Sequence, residues 1–264
     1  MNYLLPLVIY MRMNAILDIK HHFLYNKNES GTDYFMGDLH GSYNLFEKLI
    51  SDLKFDKNKD RVFCVGDLID RGKDSLKCVM LLNNEWFYSV LGNHEEMLLL
   101  SLDSKYIEQL WMKNGGEWWE GMSFEERIGI ISLIRKKSSL TATIKTDCGD
   151  VGLVHADYFS ESWPLELNAI SKERVREMLW SRITLSERKY KKIKSVKVVF
   201  SGHTPLSKPA VLGNHIFLDT GCGHHPNEII TEPTLTIARL TNSGIEFHMR
   251  SQKKYKVSHV NIDN

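Results

Sequence analysis

The sequence predicts a layered α/β fold, and three features of the chain carry that prediction. Short apolar runs alternate with helix-like segments between residues 34 and 95, in the order β-α-β-α-β. Each apolar run ends abruptly in glycine and polar residues, as buried strands bounded by turns do. No internal repeat, low-complexity tract or Pro/Gly/Ser-rich linker interrupts the 264 residues, so we expect one main domain.

The elements can be assigned in chain order from these patterns. Two segments between the first three strands carry helical spacing of apolar residues: SYNLFEKLISDL (42–53) and DSLKCVMLLNN (74–84). Residues 97–140 also read as helical, and the tail alternates as a β-hairpin with NSG at its turn (TLTIARL, IEFHMR). The predicted strand runs are YFMGDLHG, RVFCVGDLIDRG, WFYSVLGNHE, VGLVHAD, VKVVFSGHTP and HIFLDTG.

Composition excludes several classes of protein. With 42% hydrophobic and 25% charged residues the chain is of ordinary globular composition, and a net charge of +1 argues against a nucleic-acid partner. The N-terminal apolar run of about ten residues is too short to span a membrane and lacks a preceding positive charge. We therefore expect an N-terminal extension over residues 1–30, a single domain over residues 31–264, and no membrane span. Four cysteines without CxxC spacing predict reduced thiols and a cytoplasmic location.

Acidic, imidazole and amide side chains follow the predicted strands at equivalent positions. In open α/β sheets such positions beyond the carboxyl ends of strands form the ligand site. Mixed carboxylate and imidazole ligands suit Mn, Fe or Zn, and six candidates are too many for one tetrahedral ion. They fit two ions that share a carboxylate, an arrangement that hydrolyses phosphate esters. Nine residues occupy these strand ends, and the six ligand candidates are among them: Asp38, His40, Asp67, Asp70, Arg71, Asn93, His94, His155 and His203.

The motifs GDLHG, GDLIDRG and GNHE, followed by separated histidines, resemble the phosphoprotein phosphatase family of metallophosphoesterases. The resemblance is closest to the bacterial and phage lambda-type serine/threonine phosphatases, extends from about Tyr34 to about Leu240, and includes WMKNGGEWW, VHADY, LWSR and GHTP. It implies the calcineurin-like metallophosphoesterase fold, a central β-sandwich flanked by helices in α/β/β/α layers. It also implies phosphoprotein substrates and two divalent ions, with Mn expected and Fe, Zn or Ni as alternatives.

The resemblance also implies a role for each motif residue. Asp38 and His40 would bind the first metal, Asp67 would bridge both ions, and Asn93, His155 and His203 would complete the second site. His94 would be the general acid, oriented by Asp70, that protonates the leaving alkoxide after direct attack by a dimetal-activated water. Arg71 and Arg182 would bind the substrate phosphate.

Three other functions are consistent with parts of the sequence. A symmetrical diadenosine tetraphosphate hydrolase belongs to the same superfamily, but that group typically lacks the aspartate that Asp70 supplies here. A metal-dependent phosphodiesterase or nuclease would be expected to carry a stronger positive charge. A non-enzymatic binding module would be expected to have lost at least one ligand position, and every position is filled.

Some conspicuous residues have simpler structural explanations. Glu95 and Glu96 are interpreted as the acidic first turn of a helix, where they complement the helix dipole. The pairs His21-His22 and His224-His225 are not expected to bind metal, although the second pair follows LDTGCG and is a candidate for substrate contact. The basic run RKYKKIKSVK (188–197) is interpreted as a solvated segment, with a docking surface for acidic phosphoproteins as the alternative. The tryptophans of residues 111–119 are expected in the core or in a cap over the site.

Overall fold

The computed structural model describes residues 19–166, 170–189 and 192–262. The α-helices are Tyr43–Asp52 (α1), Ser75–Met80 (α2), Asn93–Ser101 (α3), Lys105–Met112 (α4), Phe124–Lys137 (α5), Lys172–Trp180 (α6) and Ile183–Ser186 (α7), and 3-10 helices span Leu81–Asn83 and Gly116–Gly121. The strands are Lys20–Tyr25 (β1), Asp33–Met36 (β2), Arg61–Cys64 (β3), Phe87–Val90 (β4), Ser138–Ile144 (β5), Val151–Val154 (β6), Val198–Ser201 (β7), Ala210–Leu212 (β8), His215–Phe217 (β9), Leu235–Thr241 (β10), Gly244–Arg250 (β11) and Tyr255–Val260 (β12).

The strands form one mixed, 12-stranded hydrogen-bonded sheet in the order β12-β11-β10-β2-β3-β4-β5-β6-β7-β9-β8. Strands β2 to β5 are parallel neighbours, and β6, β7 and β9 form a second parallel set. The two sets are joined where β5 pairs with β6 in antiparallel fashion. Strand β1 lies off this path and pairs with β5 in parallel.

Two hydrophobic clusters show how the layers are arranged. Alternate residues of a strand face opposite sides of a sheet, so one strand contributes to two cores. In β2, Tyr34 and Met36 belong to the cluster shared with the helices, whereas Phe35 belongs to a cluster made by the strands. Phe35 stacks on Phe200 of β7 with ring centroids 4.8 Å apart, which brings the two parallel sets face to face. The predicted layered fold, with strands packed on strands inside flanking helices, is confirmed.

Most predicted elements are confirmed, with differences at their ends. The hairpin of β10 and β11 turns at residues 242–243, where Thr241 pairs with Gly244. The predicted helical region was too long, because residues 138–140 begin β5, which is buried along its whole length. Strand β1 lies in the segment predicted to be an N-terminal extension, and residues 1–18 lie outside the described residues. The division of the chain at residue 30 stays a prediction.

The curvature of the sheet brings the strand ends of both parallel sets to one place. Strands β2, β3 and β4 end a few residues before Asp38, Asp67 and Asn93, and β6 and β7 end just before His155 and His203. The polar side chains that follow these five strands are therefore neighbours, although they are far apart along the chain.

Candidate active site

The six side chains predicted to bind metal are all buried and lie together beyond the strand ends. Asp67 lies at their centre, because its Oδ1 is 3.5 Å from His155 Nε2 and its Oδ2 is 3.5 Å from His40 Nε2. Asn93 Oδ1 is 2.8 Å from both His155 Nε2 and His203 Nδ1. Asp67 therefore faces two groups of donor atoms at once, one through each carboxylate oxygen.

The loops that carry these side chains adopt a backbone conformation that side chains other than glycine rarely take. Positive φ angles occur at His40 (43°), Asp67 (53°), Asp70 (75°), Arg71 (66°) and His203 (67°). Each such residue costs about 1–3 kcal/mol and persists only when the surrounding structure holds it in place. The GDLIDRG loop therefore needs an anchor.

Glu95 supplies that anchor. Its Oε2 accepts hydrogen bonds from the backbone N–H groups of Asp67 and Gly92 at 3.0 Å, and its Oε1 accepts one from Leu68 at 2.8 Å. Burial, with the charge of Asp67, raises the pKa of Glu95 to about 7. Gly92 permits this packing, since a Cβ there would lie 2.1 Å from Asp67 Oδ1. Glu95 does begin a helix, as the sequence indicates, but its carboxylate holds the loop that carries Asp67.

His94 and Asp70 form a buried pair beside the metal-ligand candidates. His94 Nδ1 donates to Asp70 Oδ2 at 2.6 Å, and His94 Nε2 lies 3.9 Å from Asp67 Oδ2. Burial lowers the pKa of His94, but the charges of Asp67 and Asp70 and the Asp70 hydrogen bond raise it above its usual value overall. The protonated form of His94 is therefore favoured more than in a free imidazole, and Nε2 is the ring nitrogen that faces the site.

Two tryptophans hold Asp70 in turn. The indole N–H of Trp111 donates to Asp70 Oδ2 at 2.7 Å, and that of Trp118 donates to Asp70 Oδ1 at 2.8 Å. The NGGEWW segment reaches Asp70 because Gly115 lies against the backbone of Arg71, where a Cβ would come within 2.3 Å of the Arg71 nitrogen. The tryptophans therefore belong to the packed interior and also orient the His94–Asp70 pair.

The histidine tautomers fit a bound cation. His155 donates Nδ1–H to the Val65 carbonyl at 2.8 Å, and His203 donates Nε2–H to the Trp180 carbonyl at 3.1 Å. Burial lowers the pKa of both rings, so each is neutral and turns a lone pair toward Asn93 Oδ1. Backbone carbonyls that fix the ligating tautomer of histidine are typical of metal sites.

Asp38, His40 and Asp67 form the other group of donor atoms, and their surroundings also favour a bound cation. His40 donates Nδ1–H to the Ile69 carbonyl at 3.0 Å, which leaves Nε2 as an acceptor. Burial and the carboxylates of Asp219 and Asp67 raise the pKa of Asp38 well above its usual value. The Arg71 guanidinium, a cation, contacts His40 Nε2. The donor set therefore fits divalent ions, and two groups with ligand atoms within 4.8 Å of one another share Asp67: His40, Asp67, His94, and Asp67, His155, His203. Asp38 is not in the first group, but its Oδ2 lies 3.9 Å from His40 Nε2, whereas His94 is already hydrogen-bonded to Asp70.

Both predicted phosphate-binding arginines are exposed and lie at the edge of this cluster. Arg71 Nη1 contacts His224 Nε2 at 2.7 Å as well as His40, so His224 is a neighbour of the site. Arg182 donates to the carbonyl of His203 at 3.4 Å. His225 is exposed and lies one residue further from the cluster.

The sequence interpretation missed two buried aspartates. Asp157, in VHADY, accepts hydrogen bonds from Ser181 Oγ at 3.2 Å and Thr184 N at 2.9 Å, and so fixes the segment on both sides of Arg182. Asp219 follows β9, and burial raises its pKa to about 6. Its buried Oδ2 has no hydrogen-bond partner among the described residues. Asp219 follows a strand and lies two residues before Gly221, and a glycine close to a strand end is the signal that identified the other site residues.

Glu96 is also buried, one position beyond Glu95. Its Oε2 accepts a hydrogen bond from the indole of Trp180, whose carbonyl holds His203, and its Oε1 has no partner among the described residues. Burial raises the pKa of Glu96 to about 8, although the Trp180 hydrogen bond acts in the opposite direction. Glu96 is therefore a neutral acid at pH 7 rather than the charged first-turn residue that the sequence indicates.

The remaining candidate groups lie outside the cluster. His21 and His22 are consecutive residues of β1 and so face opposite sides of the strand, which prevents them from sharing one ion. Residues 190–191 of the basic run lie outside the described residues. All four cysteines are free thiols, and three are buried. Over residues 19–166, 170–189 and 192–262, no helix has the length and apolar character needed to cross a bilayer.

Because Glu95 holds the GDLIDRG loop, we expect its substitution to cost much more stability than substitution of Glu125, which also lies in the first turn of a helix. Glu95→Gln places an amide where four backbone N–H groups, those of Asp67, Leu68, Ile69 and Gly92, point at a carboxylate. Hydrogen bonds to charged groups contribute about 1.5–3 kcal/mol each. Glu125→Gln removes a charge from the exposed first turn of α5, which is worth about 0.3–1 kcal/mol. We expect Glu95→Gln to lower the free energy of unfolding by at least about 2 kcal/mol more than Glu125→Gln, in urea titrations at pH 8. Equal losses would mean that Glu95 only complements the helix dipole.

The raised pKa of Glu96 predicts a pH-dependent contribution to stability. Between its ordinary pKa near 4.5 and its folded pKa near 8, the folded state holds a proton that the unfolded state releases. Stability then falls as pH rises through that window, by at most about 1.4 kcal/mol per pH unit. Glu96→Gln keeps the acceptor for Trp180 and removes this dependence, so its stability relative to the wild type should increase from pH 5 to pH 8. Exposed Glu117→Gln is the control, and parallel pH profiles for Glu96→Gln and the wild type would contradict the assignment.

Known proteins resemble this chain over most of its length. The family model of the calcineurin-like phosphoesterases matches residues 34–247. Serine/threonine-protein phosphatase 1 of Salmonella typhimurium is 33% identical over 190 residues, 70% of this chain and 84% of that protein. Serine/threonine-protein phosphatase 2 of Escherichia coli is 30% identical over 223 residues, 82% of this chain and 94% of that protein. A symmetrical bis(5'-nucleosyl)-tetraphosphatase of Actinobacillus succinogenes is 44% identical, but over 68 residues, 25% of either chain.

Solved structures share the fold. A protein serine/threonine phosphatase from Saccharomyces cerevisiae superimposes with a TM-score of 0.58 at 13% identity, covering 98% of this chain and 90% of that one. A putative diadenosine tetraphosphatase superimposes with a TM-score of 0.57 at 19% identity, covering 86% and 97%. At these identities the structures bear on the fold alone. The chain belongs to the calcineurin-like phosphoesterases, as its sequence motifs predicted.

Proposed function

We propose that the chain is a metal-dependent serine/threonine protein phosphatase that hydrolyses phosphomonoesters of phosphoproteins. The observation that carries the proposal is the buried His94–Asp70 pair, which lies beside the ligand cluster and within reach of Asp67. An imidazolium held in this way is suited to protonating a poor leaving group such as a serine alkoxide. The serine/threonine phosphatase relatives, which align over most of both chains, support the same conclusion.

The residues that would hold the metals are those with donor atoms facing one another. Asp38, His40 and Asp67 would hold one divalent ion, and Asp67, Asn93, His155 and His203 the other, with Mn expected and Fe, Zn or Ni as alternatives. When bound, such ions make water nucleophilic near neutral pH and act as Lewis acids toward the phosphoryl group.

The protein itself would orient the substrate and supply the proton. Arg71 and Arg182 are exposed guanidinium groups at the edge of the cluster, and their planar sets of N–H donors match the oxygens of a phosphate. His94 would give up the proton on Nε2 to the departing oxygen, while Asp70, held by Trp111 and Trp118, keeps the ring oriented. A water molecule is the proposed nucleophile, so no phosphoenzyme is expected.

The second candidate is a symmetrical diadenosine tetraphosphate hydrolase, which the partial match to such enzymes favours. Its leaving group is a nucleotide phosphate, which is already a stable anion and gains little from protonation. A dedicated acid pair such as His94 and Asp70 is therefore better explained by an alkoxide leaving group. A phosphodiesterase or nuclease is less well supported, because a net charge of +1 gives little electrostatic attraction for nucleic acid.

A cytoplasmic location is part of the proposal and is supported by the four free thiols.

The proposed function predicts metal-dependent turnover with a preference among substrates. Chelation should abolish hydrolysis of p-nitrophenyl phosphate, and Mn should restore it, whereas Asp67→Asn should stay inactive with Mn present. Turnover should then be compared on a phosphoserine peptide, a phosphotyrosine peptide and diadenosine tetraphosphate, with kcat/KM highest for phosphoserine. Turnover without metal would contradict the mechanism, and a higher kcat/KM on diadenosine tetraphosphate would favour the second candidate.

The role of His94 predicts a substrate-dependent loss of activity. His94→Asn should lower kcat on a phosphoserine peptide by about 10²–10⁴-fold, because the alkoxide then leaves without a proton. On p-nitrophenyl phosphate, whose leaving group is a stable anion, the loss should stay below about tenfold. His259→Asn, at an exposed histidine of β12, is the control for loss of an imidazole. Equal losses of His94→Asn on both substrates would show that His94 is not the acid.

A further inference from the structure

A groove with a volume of about 930 Å³ opens beside Arg71. Its sides are residues 44–48 of α1, the turn 251–254 between β11 and β12, the loop 222–226 after β9, and residues 71–74. Lys48 Nζ lies 3.4 Å from Gln252 Oε1, which ties α1 to the turn across the groove. We call this the basic groove and define it by four exposed lysines that line it, Lys48, Lys73, Lys253 and Lys254.

The basic groove carries unpaired positive charge. The side chains of Lys73, Lys253 and Lys254 have no ion-pair partner within 4.0 Å among the described residues, and Lys48 contacts only the neutral Gln252 there. Because no carboxylate lies within ion-pair distance, these ammonium groups are free to bind anions, although the charge of Glu232 also acts on Lys253 and Lys254.

Two of the three acidic residues that line the groove have a lysine outside it within 4.0 Å, and the charges of Lys253 and Lys254 act on one of them, Glu232, as well. Asp74 pairs with Lys77 at 2.9 Å, and Glu232 lies 3.9 Å from Lys256 and accepts a hydrogen bond from Ser251. Glu47 is the third acidic residue of the lining. The four groove lysines and Arg71 therefore leave an excess of positive charge.

The groove is continuous with the candidate active site. Arg71 lines its inner end and also contacts His40 in the ligand cluster. His224, 2.7 Å from Arg71, lies at the same boundary. A chain whose phosphate lies at Arg71 would therefore have its neighbouring residues within the groove.

We propose that the basic groove binds acidic side chains that flank the phosphorylated residue of the substrate. The inference rests on the proposed protein phosphatase function and deepens it by naming a substrate class, phosphopeptides with Asp or Glu beside the phosphoserine. Carboxylates complement the unpaired ammonium groups, and exposed pairs of this kind are weak individually and screened by salt. Several together select a substrate through KM rather than through the chemical step.

A polyphosphate chain would also complement lysines, but the lining of the groove favours a peptide. An adenine base is usually bound by stacking on an aromatic side chain. Among the described residues, no Phe, Tyr or Trp lines the basic groove; the aromatic rings there are the imidazoles of His224, which contacts Arg71, and His225. A phosphopeptide therefore fits the groove better than diadenosine tetraphosphate does, and turnover of both can be measured side by side.

The test compares two phosphoserine peptides that differ only in their flanks, Asp and Glu in one and Asn and Gln in the other. At low salt the wild-type protein with Mn should have a kcat/KM about tenfold higher on the acidic peptide, mainly through KM, and 0.5 M NaCl should remove most of the difference. Lys48→Ala/Lys253→Ala/Lys254→Ala should abolish the preference. Lys57→Ala/Lys105→Ala/Lys136→Ala removes the same charge outside the groove and should keep it.

A charge-reversal variant distinguishes loss of the groove charge from loss of folding. Lys48→Glu/Lys253→Glu/Lys254→Glu should prefer a lysine-flanked peptide over the acidic one, which a merely damaged protein would not do. Equal kcat/KM on acidic and neutral peptides in the wild type would overturn the groove proposal and leave the phosphatase function standing. Turnover of diadenosine tetraphosphate but of neither peptide would overturn both the phosphatase function and the groove proposal. If the triple alanine variant then lost turnover of diadenosine tetraphosphate selectively, the groove would be assigned to polyphosphate.

Discussion

The hydrogen bonds from the GDLIDRG loop to the Glu95 carboxylate are the interaction on which the site depends. The loop carries Asp67, the central carboxylate, and Asp70, the partner of His94, and both have positive φ angles. Such a backbone is stable only if its N–H groups find a strong acceptor, and the buried carboxylate of Glu95 accepts from Asp67 and Leu68. One side chain of α3 thus fixes the backbone of two residues that the proposed mechanism would use for different purposes, metal binding by Asp67 and proton donation through Asp70 and His94.

The histidines depend on backbone carbonyls in a similar way. Val65 and Ile69 lie on either side of Asp67, and their carbonyls fix the tautomers of His155 and His40. The backbone of this one loop therefore orients imidazoles that come from two other strand ends. The precision of the cluster comes from a few hydrogen bonds made by main-chain atoms rather than from contacts among the ligands.

The sequence was sufficient for the layered fold and for the positions of the ligand candidates, because both follow local rules. Strand ends marked by glycine and polar residues are visible in the chain, and parallel strands bring such ends together. The burial of Glu96, the orphaned oxygen of Asp219 and the indole donors to Asp70 depend on contacts between residues far apart in the chain. No periodicity or local motif encodes those contacts, so they appear only when the helices are packed on the sheet.

The two indoles that hold Asp70 come from α4 and from the 3-10 helix Gly116–Gly121, neither of which carries a metal-ligand candidate. The orientation of Asp70, and through it of the proposed proton donor His94, therefore depends on a segment that is separate from the strand ends with the ligand candidates. Within this fold, a mutation in either indole-bearing segment would therefore act on the His94–Asp70 pair without replacing any ligand candidate.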